Sequence, residues 1–394
     1  MTNQDPQKIE ELLTRGVQEV IDKESLQKKL TSGKVLRVKL GIDPTSPNIH
    51  IGRSIPLLKL RDFQNLGHKV VFIIGDFTGI IGDTSDKDSE RPMLDAKTIK
   101  ANLKTYALQA GKILDMKKCE VKYNSGWLKK LGFAEIGAMA DAFGLHEFES
   151  RENIKLRLQA GKRVSLRELL YPIMQGYDSV AVKADVELGG TDQRFNLLAG
   201  RDLQKLYKQE PQDIMTNVLL EGTDGRKMSS SWGNTINLLD SPDEMFGKTM
   251  SIPDELIEKY FVLATRVSLA EIENIKKISN PRDQKARLGF EIVKMYHGEK
   301  LAKQAEENFN RTFRDKQIPT DIEVFETSRI NYPILDLLFD SKLAESKSDA
   351  KRVVEGGGVA INNTKLTDWK TEVTLENNMV IQFGKRRFVK IKIK

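Results

Sequence analysis

The sequence predicts an α/β protein: a parallel-sheet domain first, then an α-helical domain, then a small α+β domain. Three observations predict this. The stretches "KVLRVKLGID" (34–43), "IHIGRSIPLLKLRDFQNLG" (49–67) and Lys69 to Gly75 read as strand, helix and strand with tight glycine ends. That is the βαβ unit of a parallel sheet, which binds ligands at the carboxyl ends of its strands. After residue 236 the pattern changes to successive cap-and-helix units. From Asn331, two short helical pieces, a glycine cluster at Gly356 to Gly358 and strand-like pieces close the chain.

In chain order, Asp5 and Pro6 make an N-cap and first-turn pair, and Ile9, Leu12, Leu13, Val17, Val20 and Ile21 follow helical spacing, so the chain is expected to open with one amphipathic helix. The run "KVVFIIGDFTGII", broken at Asp76, reads as a buried parallel strand followed by a turn. Ser241-Pro242-Asp243-Glu244, Pro253-Asp254, Ser268 with Glu271, and Asn280-Pro281 each announce a helix start. The expected division is therefore 1–236 for the sheet domain, 237–310 helical, 311–330 as a linker without clear periodicity, and 331–394 as the last domain.

The chain has 394 residues, enough for two or three cores, and a formal net charge of +7. Residues 331–394 hold twelve Lys or Arg against eight Asp or Glu, which places +4 of that +7 in the last sixth of the chain. Lys390, Lys392 and Lys394 alternate with Ile391 and Ile393, so one strand face is basic and suits a phosphate backbone; an edge strand that uses lysines against aggregation is the alternative. Cys119 is the only cysteine, which excludes an intramolecular disulfide and a thiolate zinc cluster. No segment approaches the roughly 20 apolar residues of a membrane span, and the N-terminus has no apolar leader core, so the chain reads as cytoplasmic.

Three stretches carry chemistry. "DPTSPNIHIGR" (43–53) joins a strand end to a helix start, where free N–H groups and partial positive charge suit phosphates; Gly52 clears room for a planar base and His50 is a donor to a phosphate oxygen. Pro56 cannot donate to the Gly52 carbonyl, so a kink is expected there. "GTDGRKMSSSWGN" (222–234) is a glycine-punctuated loop in which Lys227 and Ser229, Ser230 and Ser231 form a mobile clamp for phosphate oxygens. Taken singly, a structural histidine and a Lys/Ser surface turn remain the alternatives. "YPIMQGYDSV" (171–180) is core-like yet carries Asp178, whose burial demands a partner, in or outside the chain.

The pair "HIGR" and "KMSSS" resembles the signature of class I aminoacyl-tRNA synthetases, which bind ATP between a "HIGH" helix start and a "KMSKS" loop on a Rossmann-like domain. "YPIMQGYDSV" with "LGGTDQRFNLL" (188–198) resembles bacterial tyrosyl-tRNA synthetases, and the resemblance runs through the whole chain. It implies a ligase that activates L-tyrosine with Mg·ATP to tyrosyl-adenylate and transfers tyrosine to the terminal adenosine of tRNA(Tyr), working as a homodimer and needing no zinc. It implies that Asp178 accepts from the substrate phenol, that Tyr171, Gln175 and Asp83 take its amino end, that Gln193 lies near its carboxylate, and that Gly41 belongs to the same subsite. His50, Gly52, Arg53, Gly190, Asp192, Lys227 and Ser229 to Ser231 are the implied ATP residues, with His50 and Lys227 catalytic and with Gly190 and Asp192 near the ribose. "LAESKSDAKRVVEGGGVAINN" resembles an S-four-type RNA-binding domain, which implies RNA contacts from Lys351, Arg352, Lys385, Arg386 and Arg387.

Three positions depart from the family pattern: Arg53 stands where many members have the second histidine, Ser230 where many have the second lysine, and Lys39 where one branch has a phenol-binding tyrosine. A tryptophanyl enzyme, or an RNA-binding or splicing protein derived from a synthetase, are the rival readings. The Gln-Gly-Tyr-Asp run and the basic tail argue against the first, and the intact His50, Lys227, Asp178 and Gln193 against the second.

Overall fold

The computed structural model describes residues 2–84, 93–313, 322–362, 364–384 and 387–394. They form two compact units, Met1–Ala302 and Lys303–Lys394. In the first, strands β1 (Val17–Ile21), β2 (Arg37–Ile42), β3 (Lys69–Ile74), β4 (Cys119–Tyr123), β5 (Val186–Gly190) and β6 (Asp213–Asn217) make one sheet in the order 1-6-5-2-3-4. All neighbours are parallel except β1, which runs antiparallel to β6. Val70 to Ile74 are fully buried, as befits a parallel strand covered on both faces. Chain order reverses between β2 and β5: β3 and β4 lie on one side, β5 and β6 on the other. At such a switch point the flanking helices diverge and leave a crevice outside the carboxyl ends of the strands.

The expected opening helix is shorter than its apolar spacing suggested. A helix covers Pro6–Thr14 with Asp5 as its cap, and Val17–Ile21 is a strand. Gly16 adopts φ +64°, a conformation that ends helices at little cost only for glycine, and a Cβ there would lie 2.6 Å from Leu263. The three β-branched residues that followed then gain more from pairing with β6 than from continuing the helix.

Each cap read from the sequence opens a helix. Ser241 accepts from the Glu244 amide before the helix Pro242–Met250, Ser268 from Glu271 before Leu269–Ile275, and Asn280 from Arg282 before Pro281–His297. Pro253-Asp254 leads through a short turn into Ile257–Ala264. These helices pack into the first unit and do not form a separate body from residue 237 on. The buried Arg15 guanidinium donates to the carbonyls of Phe261, Val262 and Thr265, Arg266 pairs with Asp62 at 2.8 Å, and the Ser54 and Tyr296 hydroxyls are 3.0 Å apart.

In the second unit, β7 (Glu323–Thr327), β8 (Asn331–Pro333), β9 (Val359–Ile361), β10 (Thr364–Leu366), β11 (Glu372–Thr374), β12 (Val380–Phe383) and β13 (Arg387–Ile393) form a five-stranded sheet, 10-9-12-13-7, and a two-stranded one, 11-8. Helices Ile334–Asp340 and Lys347–Glu355 bury Leu337, Leu338 and Val354 against Ile381 and Ile391. Two expectations change here. Residues 323–327, read as linker, pair parallel with β13. The basic strand β13 is therefore internal, between β12 and β7, and not an edge. The pairing was invisible locally because β7 gets its partner from residues more than sixty positions away.

The helix Leu166–Val182 of the first unit starts at a capping box: Ser165 caps it, and Glu168 reaches back to the Ser165 amide. The Glu168 carboxylate, buried, also accepts from Arg157 at 2.6 and 3.0 Å and from Thr84 at 2.7 Å. Arg157→Met strands that carboxylate and should cost about 3–5 kcal/mol, read as a lower urea midpoint. Adding Glu168→Gln should recover part of the loss; no recovery would show that the ion pair is not the source of the cost.

Candidate active site

A cavity of about 270 Å³ opens at the crevice between β2 and β5. Every residue that the sequence assigned to tyrosine or ATP lines it: Gly41, His50, Gly52, Arg53, Asp83, Tyr171, Gln175, Asp178, Gly190, Asp192, Gln193, Lys227, Ser229, Ser230 and Ser231. The cavity therefore joins strand ends, the Ile51–Asn65 helix start, the Leu166–Val182 helix and the 222–234 loop.

At one end the side chains are acidic. Asp178 is buried and accepts from Trp127 Nε1 at 2.7 Å and Asn124 Nδ2 at 3.3 Å. Its partners thus include two donors from the chain itself, which the sequence reading did not supply. Burial pushes its carboxyl up to about 7, against the opposing pull of Lys39 and the two hydrogen bonds. Tyr171 donates to Asp43 at 2.8 Å, and Thr78 donates to the other oxygen of Asp43 at 2.7 Å. Gly75 makes this possible, because a Cβ there would sit 1.9 Å from Asp43 Oδ1. Gln193 donates to Asp83 at 2.6 Å. Gln175 turns its amide toward Glu187 at 3.2 Å. Lys39 is not part of the cavity lining: its ammonium is buried against Glu187 at 2.9 Å.

At the other end the groups are basic. His50 caps the Ile51–Asn65 helix, its Nδ1 accepting from the Arg53 amide at 3.3 Å, so Nε2 carries the proton of the neutral ring. Burial pushes the ring down to about 3, and the charges of Arg53 and Lys227 add to this. The helix runs through Pro56. Its first-turn amides are already engaged, which differs from the open donor set expected. Ile51 donates to Ile236, Ser54 to His50, and Gly52 to the thioether of Met228 at 3.3 Å, a weak acceptor. Through Met228 the two ATP motifs touch. Arg53 donates to Thr45, while its Nη1 is buried without a hydrogen-bond partner among the described residues.

Lys227 reaches Asp192 at 3.0 Å, so two residues assigned to different parts of ATP hold each other. Asn234 fastens the loop: its side chain accepts from the Ser229 amide at 2.9 Å and donates to Asp224 at 2.7 Å and to the Lys227 carbonyl at 3.1 Å. Asp43, Thr45, Thr78, Asn124, Trp127 and Asn234 were missed as site residues. Asp43, Thr45 and Asn234 stood inside quoted motifs without a role. Asn124 and Trp127 stand in "YNSGWL", which has no signature and reaches Asp178 only through the fold.

Of the residues assigned to RNA, Lys351 stacks its ammonium 4.1 Å from the Trp369 ring and Arg352 pairs with Asp349 at 2.7 Å. Arg387 donates to the Leu343 carbonyl at 2.7 Å. Lys385 and Arg386 lie outside the described residues. On β13, Lys392 and Lys394 both reach Glu326, so part of the basic face is neutralised within the sheet.

Residues 31–314 match the family described as tRNA synthetases class I (W and Y), and residues 315–391 match the tyrosine–tRNA ligase SYY-like C-terminal domain. Tyrosine–tRNA ligase of Thermotoga maritima is 45% identical over 392 residues, 98% of each chain, and that of Methylococcus capsulatus 44% identical over 388 residues, 97% of this chain and 98% of the other. The crystal structure of a C-terminally truncated mitochondrial tyrosyl-tRNA synthetase from Coccidioides posadasii superimposes with a TM-score of 0.62 at 26% identity, covering 76% of this chain and 91% of that one. A tyrosyl-tRNA synthetase from Archaeoglobus fulgidus shares the fold, with a TM-score of 0.59 at 21% identity, 76% of this chain and 99% of that one.

Fold and cavity thus define a class I tRNA synthetase. Both of these full-length relatives are tyrosine–tRNA ligases by name. The chain belongs to the tyrosine–tRNA ligases, enzymes that activate L-tyrosine with ATP and pass it to the 3′-terminal adenosine of tRNA(Tyr).

The titration of Asp178 makes a prediction about stability. The unfolded chain releases this proton near pH 4 and the folded chain near pH 7. Between those values the folded state binds more protons, so stability falls as pH rises through the window, and the loss is complete above it. Asp178→Asn removes the titration. Relative to the parent, it should therefore gain more thermal stability at pH 8 than at pH 5, and an offset equal at both values would refute the assignment.

Proposed function

We propose that the two ends of the cavity divide the reaction between them. The phenol of tyrosine donates to Asp178, its ammonium lies with Asp83, Tyr171 and Gln175, and its carboxylate lies near Gln193, with Gly41 giving backbone clearance. Mg·ATP sets its ribose against Gly190 and Asp192 and its phosphates against His50, Gly52, Arg53, Lys227 and Ser229 to Ser231. The observation that carries this reading is the sorting of charge in the cavity lining: Asp43, Asp83 and Asp178 act together on Tyr171, whereas Arg53 and Lys227 act on His50. A substrate with an ammonium and a phenol next to a polyphosphate matches that order.

In the first step a carboxylate oxygen of tyrosine attacks the α-phosphorus, the bond to the bridging oxygen breaks, and pyrophosphate leaves. In the second, a ribose hydroxyl of the terminal adenosine attacks the tyrosyl carbonyl and AMP leaves. No side chain is acylated; catalysis is positioning and charge stabilisation. Neutral His50 serves as an Nε2–H donor and not as an acid. Lys227 leaves Asp192 when the ribose arrives and moves to the phosphates. Phenylalanine offers Asp178 no phenol donor beyond those of Trp127 and Asn124, so the wrong substrate bears the cost of the missing hydrogen bond.

Three further assignments belong to this reading. Residues 237–310 face the anticodon arm, and Lys351, Arg352 and Arg387, with Lys385 and Arg386, meet RNA phosphates in the last domain. No described helix is long and apolar enough to cross a membrane, which fits a cytoplasmic enzyme. A homodimer is supported by large apolar side chains left in solvent among the described residues: Phe133, Leu166 and Leu145 are 92%, 78% and 60% exposed.

ATP–pyrophosphate exchange without tRNA, offered tyrosine, phenylalanine and tryptophan separately, should proceed with tyrosine alone; exchange with either of the others would overturn the pocket assignment. Lys227→Ala should slow adenylate formation by roughly 10²–10³-fold with tyrosine binding little changed. Equal losses in both would sink its role at the phosphates. Phe133→Asp combined with Leu166→Asp should turn a dimer into a monomer in sedimentation velocity, and a dimer that survives both places the interface elsewhere.

A further inference from the structure

Beside the Leu166–Val182 helix lies an ion pair that the cavity does not use. Lys39 of β2 and Glu187 of β5 are 0% and 1% exposed at their side chains, 2.9 Å apart, and neither lines the cavity. Lys39 Nζ also donates to Ser179 Oγ at 2.8 Å and to the Gln175 carbonyl at 3.0 Å. Glu187 accepts from Ser179 Oγ at 2.9 Å, from Gln175 Nε2 at 3.2 Å and from Gln212 Nε2. The pair therefore grips the helix at the residue after Asp178 and at Gln175, one turn before Ser179.

A buried ion pair is an expensive way to fill space, since apolar residues of the same volume serve stability as well or better. Its position relative to Asp178 suggests a different use. We propose that Lys39 is a positioning residue for tyrosine selection: paired with Glu187 beside the Asp178 helix, it keeps Asp178 the ionised acceptor that a phenol donor requires and fixes the Gln175 amide. The inference rests on the reading of Asp178 as the phenol's partner.

The surroundings of Asp178 support it. From β2 comes the attraction of Lys39, and from β5 the weaker repulsion of Glu187. Asn124 and Trp127 contribute neutral donors. On its own helix stands Tyr171, which burial keeps protonated and which faces the carboxylates of Asp43 and Asp83. The Thr78–Ile81 turn contributes the Thr78 hydroxyl, and the Arg194–Leu206 helix brings Ala199 and Leu203 against Gly176. Among the causes that act on Asp178, Lys39 is the cation that favours the ionised form, and burial, the largest of them, works in the opposite direction. Without Lys39, Glu187 would become a second buried anion beside the first.

The test uses the full chain and the pH dependence of kcat/KM for tyrosine and phenylalanine in pyrophosphate exchange. Glu187→Gln leaves the cation unopposed and should move the acid limb of the tyrosine profile to lower pH. Lys39→Met with Glu187→Gln removes both charges without stranding either, and should move that limb to higher pH, mainly through KM. A displacement of one unit from about 7 would leave roughly fivefold less ionised enzyme at neutral pH and lower the preference for tyrosine accordingly. Opposite displacements support the proposal; two profiles that stay in place or move together overturn it, because a merely structural pair has no sign. If the double variant does not fold, Glu187→Gln decides alone, and a limb that stays or rises overturns the proposal. Asp178→Asn separates the two readings: if it keeps the parental limb and preference, the phenol assignment itself fails, whereas if it loses both while the double variant retains them, only the role of Lys39 fails.

Discussion

A carboxylate held out of water at the point where the sheet reverses direction is the constraint around which the rest of the first unit is arranged. Asp178 needs donors on every side that does not face the cavity, and three separate parts of the chain supply its surroundings: Asn124 and Trp127 after β4, Lys39 from β2 and Glu187 from β5. The parallel register of β2 with β5, Lys39 opposite Glu187, sets those last two side chains together. The crevice is thus a gap between helices and also a low-dielectric floor in which each charge has an assigned neighbour. A binding site built this way is rigid at its acidic end, since each carboxylate is already oriented before a ligand arrives.

The basic end is organised on the opposite principle. Lys227 and the three serines stand on a loop held by Asn234, by an antiparallel backbone β-bridge between Glu221 and Lys227, and by the soft contact of Met228 with Gly52. Lys227 is paired with Asp192 while half-exposed, so the interaction is screened and exchange of one partner for another costs little. Among the described residues, Arg53 keeps a buried donor without a partner at the same end. A rigid acidic end next to a yielding basic loop is the arrangement expected where the charge to be stabilised appears only during a reaction.

Much of this was legible locally. Helix starts at Ser241, Ser268 and Asn280 were read from the residues that cap them, because a cap is a contact within three positions. The residues assigned to ATP and tyrosine meet in one cavity because their short motifs fall at strand ends or helix starts, where a parallel sheet gathers its ligands. Failures came where a neighbour in space is distant in sequence. Val17, Val20 and Ile21 fit a helical spacing, yet they pair with residues 214–217. Glu323 to Thr327 have no periodicity of their own and become a strand only when β13 is present.

The sequence by itself determined the class of fold and the identity of nearly all the charged groups that line the cavity, since these depend on residue type and short-range spacing. Only the tertiary structure decided how those groups are compensated. That Lys39 meets Glu187, that Asn124 and Trp127 close over Asp178, that Tyr171 turns to Asp43 and that Lys227 rests on Asp192 are contacts between residues 35 to 148 positions apart, which no local pattern encodes, because the energy of a buried charge depends on which elements are brought beside it.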